Sequence, residues 1–210
     1  MTGVQTCALP ISFDSVSWNF LRKTLESFNF GQSFIAWINA FYSHISSCFV
    51  NNGFATPHFK LSRGVFQGDA ISPYLFILVL ELLAISIRND PAIKGIKIDE
   101  EELKIVIFAD NLTAFVADIE SFYRLMGKLR IFGECSGLKV KKQKMEVLNL
   151  GPCNITAETP GVDQVSKVVK ILEVNFTYDR VLAFKLHLQD IIKPLKKSPI
   201  TVSFCLEGQR

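Results

Sequence analysis

The stretch that decides the fold is RGVFQGDAISPYLF, which occupies Arg63–Phe76. Its glycines let the backbone come close to a ligand, and the amide of Gln67 beside them can contact a base or a sugar. Pro73 suits the first turn of a helix, so a helix is predicted to begin there. A glycine-rich turn that only caps a helix has the same pattern. The local chemistry therefore predicts a loop followed by a helix and leaves the role of the loop open.

Helical periodicity continues on both sides of this stretch. The helix at Pro73 is predicted to run to about Asn89, because Asp90-Pro91 stops it. Elsewhere, apolar side chains recur at the spacing of one helix face. These further helices are predicted over residues 18–28, 34–42, 120–132 and 182–195.

Short apolar runs between turn residues predict strands. Asn51-Asn52-Gly53 indicates a hairpin between Ser46–Phe49 and Phe59–Val65, and Ala109-Asp110-Asn111 forms the tip of another hairpin. The other predicted strands are residues 96–98, 103–108, 112–116, 140–150 and 168–176. Because helices and antiparallel hairpins mix in one chain, the predicted class is α+β.

The tip Phe108-Ala109-Asp110-Asn111 is the first candidate for chemistry. A carboxylate on a tight turn between two strands is held rigidly at the edge of a sheet. Oxygen donors in that position suit a divalent metal ion such as Mg²⁺ in phosphoryl transfer. The alternative is structural, because Asp and Asn are favoured in turns of any kind.

The composition indicates a folded chain with one core. A chain of 210 residues, 49% of them hydrophobic, excludes general disorder. A net charge of +3 permits contact with a phosphate backbone without requiring it. The longest apolar run, Ile71–Ile87, is interrupted by Glu81, so it is predicted to be a buried helix and no membrane span.

The cysteines indicate neither a zinc site nor a disulfide framework, since none lies in a C-x-x-C pair or near a histidine at ligand spacing. Reduced thiols in an intracellular protein fit best. The five are Cys7, Cys48, Cys135, Cys153 and Cys205.

The N-terminal residues Thr2–Ile11, TGVQTCALPI, show no helical or strand period. The string resembles the translation of a sequencing-library adapter, so residues 1–11 are interpreted as an artefact and native sequence as beginning near Ser12. An ordinary flexible N-terminus is the alternative. A sheet without its first strand would expose an edge and apolar surface, which predicts poor solubility.

Several strings, in order along the chain, resemble the palm motifs of LINE-type (non-LTR) reverse transcriptases. Arg63–Phe76 is similar to the RGxxQGDPxSPYLF segment that opens the helix of motif B in that family. Phe13-Asp14 resembles the tail of motif A, D-x-x-x-A-F-D, and Phe108–Asn111 resembles motif C, usually F/Y-A-D-D. The strings similar to motifs D and E are Ser136–Val140 with Lys144, Lys170–Leu172 and Phe176–Asp179.

The resemblance implies a right-hand polymerase palm over residues 12–180, with a partial thumb and a ragged end over 181–210. It implies an RNA-directed DNA polymerase by descent, with an RNA template, a DNA primer, nucleoside triphosphates and Mg²⁺. By family such a protein is nuclear or cytoplasmic, without membrane or obligate protein partner.

The resemblance also assigns roles to single residues. Asp110 would be a metal ligand, and Phe13 would pack against the sugar of the incoming nucleotide. Gln67 and Gly68 would line the template and nucleotide pocket, and Lys144 would lie near the triphosphate. Phe13 and Lys144 fit an ordinary core residue and an ordinary surface residue equally well.

The chain departs from the family pattern at the carboxylates themselves. Counting back five residues from Phe13, to the first Asp of motif A, gives Ala8, and the second Asp of motif C is Asn111. Two-metal phosphoryl transfer needs carboxylates that bridge both ions. Asp110 and Asn111 are thus the candidate catalytic positions of a chain predicted to be inactive. Smaller departures from the family pattern are Ala70, Lys141, Met145 and Glu173.

Three hypotheses follow from these residues. The chain is an inactive reverse transcriptase fragment, a non-catalytic remnant that still binds nucleic acid, or the non-functional product of a decayed element.

Overall fold

The long apolar segment after Pro73 folds into the central helix of the structure. The structure is a computed structural model, and it describes residues 3–8, 13–66, 68–109, 111–138, 145–149, 155–156, 158–160, 162, 164–172 and 174–186. Its helices are α1 (Trp18–Ser27), α2 (Gln32–Phe41), α3 (Ser72–Arg88) and α4 (Ile119–Ser136), and residues 180–186 are also helical. The helices predicted from periodicity are therefore confirmed where the structure describes them.

The helices begin and end at residues suited to these positions by their backbone chemistry. The side chain of Asp118 accepts a hydrogen bond from the N–H of Ser121 (2.8 Å), which caps α4 and lowers the pKa of that carboxyl. Gly137 ends α4 with φ +83°, a left-handed conformation that favours glycine. Helix α3 has Pro73 in its first turn, as the sequence predicts.

A four-stranded antiparallel sheet packs against the helices. Its strands, in spatial order, are β10 (Met145–Leu148), β1 (Gly3–Ala8), β9 (Asn111–Val116) and β8 (Ile105–Phe108). The predicted hairpin over residues 105–116 is confirmed as the pair β8–β9.

The remaining strands form short antiparallel pairs. The pairs are β2–β5 (Ser46–Ser47 with Phe59–Lys60), β3–β4 (Val50–Asn51 with Phe54–Ala55), β6–β7 (Ile96–Ile98 with Glu101–Leu103) and β11–β12 (Val168–Ile171 with Val174–Thr177). The mixture of helices and antiparallel pairs confirms the α+β class.

Two of the strand predictions are wrong. Gly3–Ala8 shows no period of its own, yet it forms a strand between β9 and β10, so the sheet does not lack its first strand. Backbone pairing with two partner strands determines this strand. Such pairing cannot be predicted from the residues of the short segment itself. The sequence predicts a single strand over residues 168–176, but Leu172 has φ +48° and the chain turns there into a hairpin.

The core is centred on α3, which packs against α1, α4 and β8. Each large apolar side chain buried here stabilises the fold by about 1.5–3 kcal/mol. The buried side chains of α3 are Ser72, Leu75, Phe76, Val79, Leu80, Leu83, Ala84 and Ile87. The run Ile71–Ile87 is therefore a buried helix, as predicted. None of the helices that the structure describes is long and apolar enough to cross a membrane.

A buried carboxylate joins the end of α3 to α4. Asp90 accepts hydrogen bonds from Arg124 Nε and Lys128 Nζ (both 3.1 Å) and from the N–H of Ala92 (3.0 Å). Burial opposes ionisation, but these donors outweigh it and lower the pKa of Asp90 to about 2. Lys104 Nζ donates to the carbonyl of the same residue (2.9 Å). This cluster holds the chain where it leaves α3.

Candidate functional site

Two paired strands bring positions 8 and 111 together. In the register of β1 and β9, the Cα of Ala8 lies opposite the Cα of Asn111. Asn111 also pairs with Phe108 across the hairpin, and Ala109 at its tip has φ +52°. Asp110, the candidate metal ligand, lies outside the described residues. Counting along the sequence puts Ala8 at the first motif A carboxylate, and the backbone register places the same residue beside motif C.

Phe13 lies in a 3-10 turn (Phe13–Ser15) that touches α3 and the loop before it. Its ring stacks on Phe76 with centroids 4.6 Å apart, and its carbonyl accepts a hydrogen bond from the N–H of Val65 (2.7 Å). The ring is partly buried against the core. These contacts give Phe13 a packing role and do not test a role against a sugar.

Gly64 brings the loop of Arg63–Phe76 against the turn at Phe13. It has φ +95°, and a Cβ on it would lie 2.9 Å from the backbone of Asp14. Its N–H donates to the carbonyl of Val16 (2.8 Å), and its carbonyl accepts from Trp18 Nε1 (2.7 Å). A residue with a side chain would force this loop away.

Gly137 makes a second close approach from the other side. A Cβ on it would collide with the carbonyl of Ser15, and the neighbouring Ser136 carbonyl accepts a hydrogen bond from the N–H of Ser17 (2.8 Å). Three segments distant in sequence thus meet at residues 13–17. We refer to Gly64, Gly137 and residues 13–17 as the glycine scaffold.

Of the three other predicted site residues, the structure describes Gly68. Gly68 has φ +89°, and a Cβ on it would meet no atom within 4 Å, so only its backbone conformation favours glycine. Gln67 and Lys144 lie outside the described residues. The structure therefore brings together Phe13 with the Gly64 loop, and Ala8 with Asn111, and leaves the roles of these residues as predictions.

A cleft of about 490 Å³ opens beside Gly64, and sequence reasoning missed most of its lining. Its walls include Asp14, Trp18, Lys60, Arg63 and Phe66. Phe66 stacks on Tyr42, whose ring also contacts Trp18 (centroids 5.5 and 5.8 Å apart). The sequence signal for part of this lining is Lys60 just before the RGVFQG string with Arg63 and Phe66 inside it, and no local signal places Asp14 and Trp18 beside them.

The donor set at positions 8 and 111 does not fit a two-metal site. Alanine offers no side-chain oxygen and asparagine offers only a neutral amide, so Asp110 is the one carboxylate among the three motif positions. Among the residues that the structure describes, no group of three His, Cys, Asp or Glu side chains could hold a metal ion. No catalytic step through Mg²⁺ follows from these residues.

The sequence profile of reverse transcriptase (RNA-dependent DNA polymerase) matches residues 9–177. Because this match covers most of the chain, the protein belongs to the reverse transcriptase family. The prediction of a reverse transcriptase related to those of non-LTR retrotransposons is confirmed.

Its relatives are proteins of mobile elements. The chain is 28% identical over 180 residues to the Retrovirus-related Pol polyprotein from type-2 retrotransposable element R2DM of Drosophila melanogaster, a match that covers 79% of this chain and 17% of that protein. It is 31% identical over 127 residues to the Pol polyprotein from type-1 retrotransposable element R2 of Popillia japonica, covering 55% and 18%. It is 23% identical over 168 residues to the Transposon TX1 uncharacterized 149 kDa protein of Xenopus laevis, covering 78% and 13%. The chain spans less than a fifth of the length of each.

Proposed function

We propose that this chain is the palm portion of a non-LTR retrotransposon reverse transcriptase that has kept its fold and its affinity for nucleic acid but lost polymerisation. By family its substrates are an RNA template, a DNA primer and nucleoside triphosphates, and its cofactor is Mg²⁺. The observation that carries the proposal is the register of β1 and β9, which pairs Ala8 with Asn111. Two positions that need carboxylates lie side by side, and neither residue is charged.

The chemical reason for inactivity is electrostatic. Two divalent ions near the transferred phosphoryl group need anionic oxygens that neutralise and bridge them. An amide in place of a carboxylate removes a full negative charge, and a methyl group removes the donor altogether. Asp110 supplies only one of the three carboxylates that such a site needs.

The experiment restores the charges and measures metal binding before activity. The double variant Ala8→Asp/Asn111→Asp is compared with the unchanged chain in titrations with Mn²⁺, which binds oxygen ligands as Mg²⁺ does and is read by electron paramagnetic resonance. We expect the variant to bind Mn²⁺ at least about tenfold more tightly, because affinity rises with the number of ligand charges. Asp69→Asn, which removes an exposed carboxylate in the loop before α3, serves as a control that leaves this difference in place.

Primer extension on an RNA template with Mg²⁺ then tests inactivity. The unchanged chain is expected to extend no primer above the level of a blank without protein. Extension by the unchanged chain would overturn the proposal of lost polymerisation. Equal Mn²⁺ affinity in both proteins would overturn the assignment of positions 8 and 111.

The division of the chain is also a proposal. We infer an adapter-like origin for residues 1–11, a palm over 12–180 and the start of a thumb over 181–210. Strand β1 does not decide the origin of residues 1–11, because valine and threonine favour strands in a segment from any source. The genomic sequence upstream of Phe13 decides it: an Asp five residues before Phe13 would support the artefact, and Ala8 encoded there would refute it.

A further inference from the structure

A long stretch of the chain, from the end of α1 through the RGVFQG loop, contains no carboxylate. The chain has 20 acidic residues in 210, yet none lies between Glu26 and Asp69. The charged side chains inside the stretch are Lys60 and Arg63, and two of the three histidines, His44 and His58, also lie there. This stretch therefore contributes positive and no negative side-chain charge to the surface, which favours contact with a phosphate backbone.

The same stretch forms a ribbon of two consecutive hairpin ladders, β2–β5 and β3–β4. The backbone of Phe49 links them, because its carbonyl accepts from the N–H of Thr56 (2.9 Å) and its N–H donates to Thr56 Oγ1 (3.0 Å). The ribbon ends at the turn of Asn52 and Gly53, which both have positive φ.

Three phenylalanines share one face of this ribbon. The rings of Phe49 and Phe59 stack on each other, and Asn51 pairs with Phe54. Residues 49 and 51 lie two apart in the segment that bonds to residues 54–56, so they point to the same side. Phe49, Phe54 and Phe59 therefore form one face, which we call the ribbon face. Their exposed fractions are 70%, 82% and 38%, and the rings of Phe49 and Phe59 stack with centroids 5.3 Å apart.

Exposed aromatic rings on a stretch of sequence without carboxylates fit unpaired bases. Every base has a π face that stacks on an aromatic ring regardless of sequence, and a strand bound this way needs basic groups for its phosphates. Such groups lie at one end of the ribbon, because Lys60 and Arg63 follow Phe59 along the chain and both line the cleft beside Gly64, whose wall also includes Asp14. A strand in the cleft can thus continue over the ribbon.

We propose that the ribbon face is a stacking platform for single-stranded nucleic acid, with Lys60 and Arg63 contacting its phosphates. The inference rests on the proposed function only for the class of ligand. It adds a surface that lies outside the positions of the metal site and does not depend on them.

The test measures binding of a fluorescein-labelled oligouridylate of about 15 nucleotides by fluorescence anisotropy. The pair Phe49→Leu/Phe54→Leu keeps apolar bulk but removes the π faces, and Phe49→Tyr/Phe54→Tyr keeps them. Both residues are largely exposed, so both variants are expected to fold, which circular dichroism checks. Tyr123→Leu, at an exposed aromatic on α4, is the matched control.

We expect the Leu pair to weaken binding by about 5- to 150-fold and the Tyr pair to bind within about twofold of the unchanged chain. Tyr123→Leu is expected to leave the affinity unchanged. Lys60→Gln is expected to reduce the slope of log K against log salt by about 0.7, the value for one phosphate contact on a single strand.

Each other outcome has a defined meaning. Binding that the Leu pair leaves unaltered overturns the platform and leaves the proposed function intact. Absence of binding at low salt overturns both the platform and the retained affinity for nucleic acid. Dimers of the unchanged chain that the Leu pair dissociates in sedimentation, with equal oligonucleotide affinity, would show that the face docks protein and overturn the proposal.

Discussion

The glycine scaffold and the pair Ala8–Asn111 differ in what the fold demands of them. Gly64 and Gly137 meet backbone atoms of residues 13–17 so closely that the fold itself requires them to be glycine. Positions 8 and 111 pair through their backbones, a contact that makes no demand on the type of side chain. That pairing forms whether or not the side chain has a carboxylate. Close packing thus fixes the residue type in the glycine scaffold, and backbone pairing does not fix it at positions 8 and 111.

The largest expected effect tests the scaffold. Gly137→Ala introduces a Cβ against the Ser15 carbonyl at φ +83°, and we expect it to lower the free energy of unfolding by about 2–4 kcal/mol in urea titrations. Gly53→Ala is the matched control, because Gly53 has φ +81° with no atom within 4 Å, and it should cost only about 1 kcal/mol. Equal losses of unfolding free energy in the two variants would mean that the close approach of Gly137 to Ser15 contributes nothing to stability. The contrast between the glycine scaffold and positions 8 and 111 would then fail.

The buried carboxylate of Asp90, which stabilises the fold, gives the second prediction. The pKa of Asp90 is lowered to about 2 in the folded chain, below its ordinary value of 3.8, so its ionised form stabilises the fold above about pH 4. That contribution is lost as the pH falls from about 4 towards 2. Asp90→Asn should lower the Tm by a constant amount above about pH 5, and the difference from the unchanged chain should shrink below about pH 4.

Melting curves of both proteins between about pH 6 and pH 2 check this prediction. Carboxyls that titrate in both proteins, such as Glu102 and Asp118, cancel in the difference. A difference in Tm that stays constant to the lowest pH would show that the Asp90 carboxylate does not titrate as described.

The smallest expected effect concerns position 111. Asn111 is exposed at the start of β9, so Asn111→Asp should change the free energy of unfolding by no more than about 0.5 kcal/mol in the absence of metal. Asn149→Asp, at a half-buried residue that donates to the Ile155 carbonyl (2.8 Å), is the contrasting variant and should cost more. A large loss at position 111 would mean that the amide has a structural role.

Local chemistry predicts much of this fold from the sequence. Pro73 marks the start of α3, and the run on either side of Ala109 marks the hairpin β8–β9. Each of these features depends on residues within one or two turns of chain, so the sequence contains the whole signal.

Contacts between distant segments cannot be predicted in the same way. The hydrogen bond from Trp18 to Gly64 joins residues 46 positions apart, and the cluster around Asp90 depends on Arg124 and Lys128 of another helix. Strand β1 is the clearest case, because its partners and not its composition determine its structure. The family motifs indicate the order of the predicted site residues along the chain. Only the register of β1 and β9 identifies Asn111 as the residue opposite Ala8.

The position of β1 in the sheet has a consequence for how the chain folds. It precedes its partners β9 and β10 by about a hundred residues or more, so it leaves the ribosome well before them. Closing so long a loop is slow. The β8–β9 hairpin forms between neighbouring residues, so β9 can already be in place when β1 pairs with it. Until the loop closes, both edges of β1 are unpaired, and a nascent chain in that state is prone to associate with its neighbours. The yield of folded protein should therefore depend on the rate of synthesis as well as on final stability.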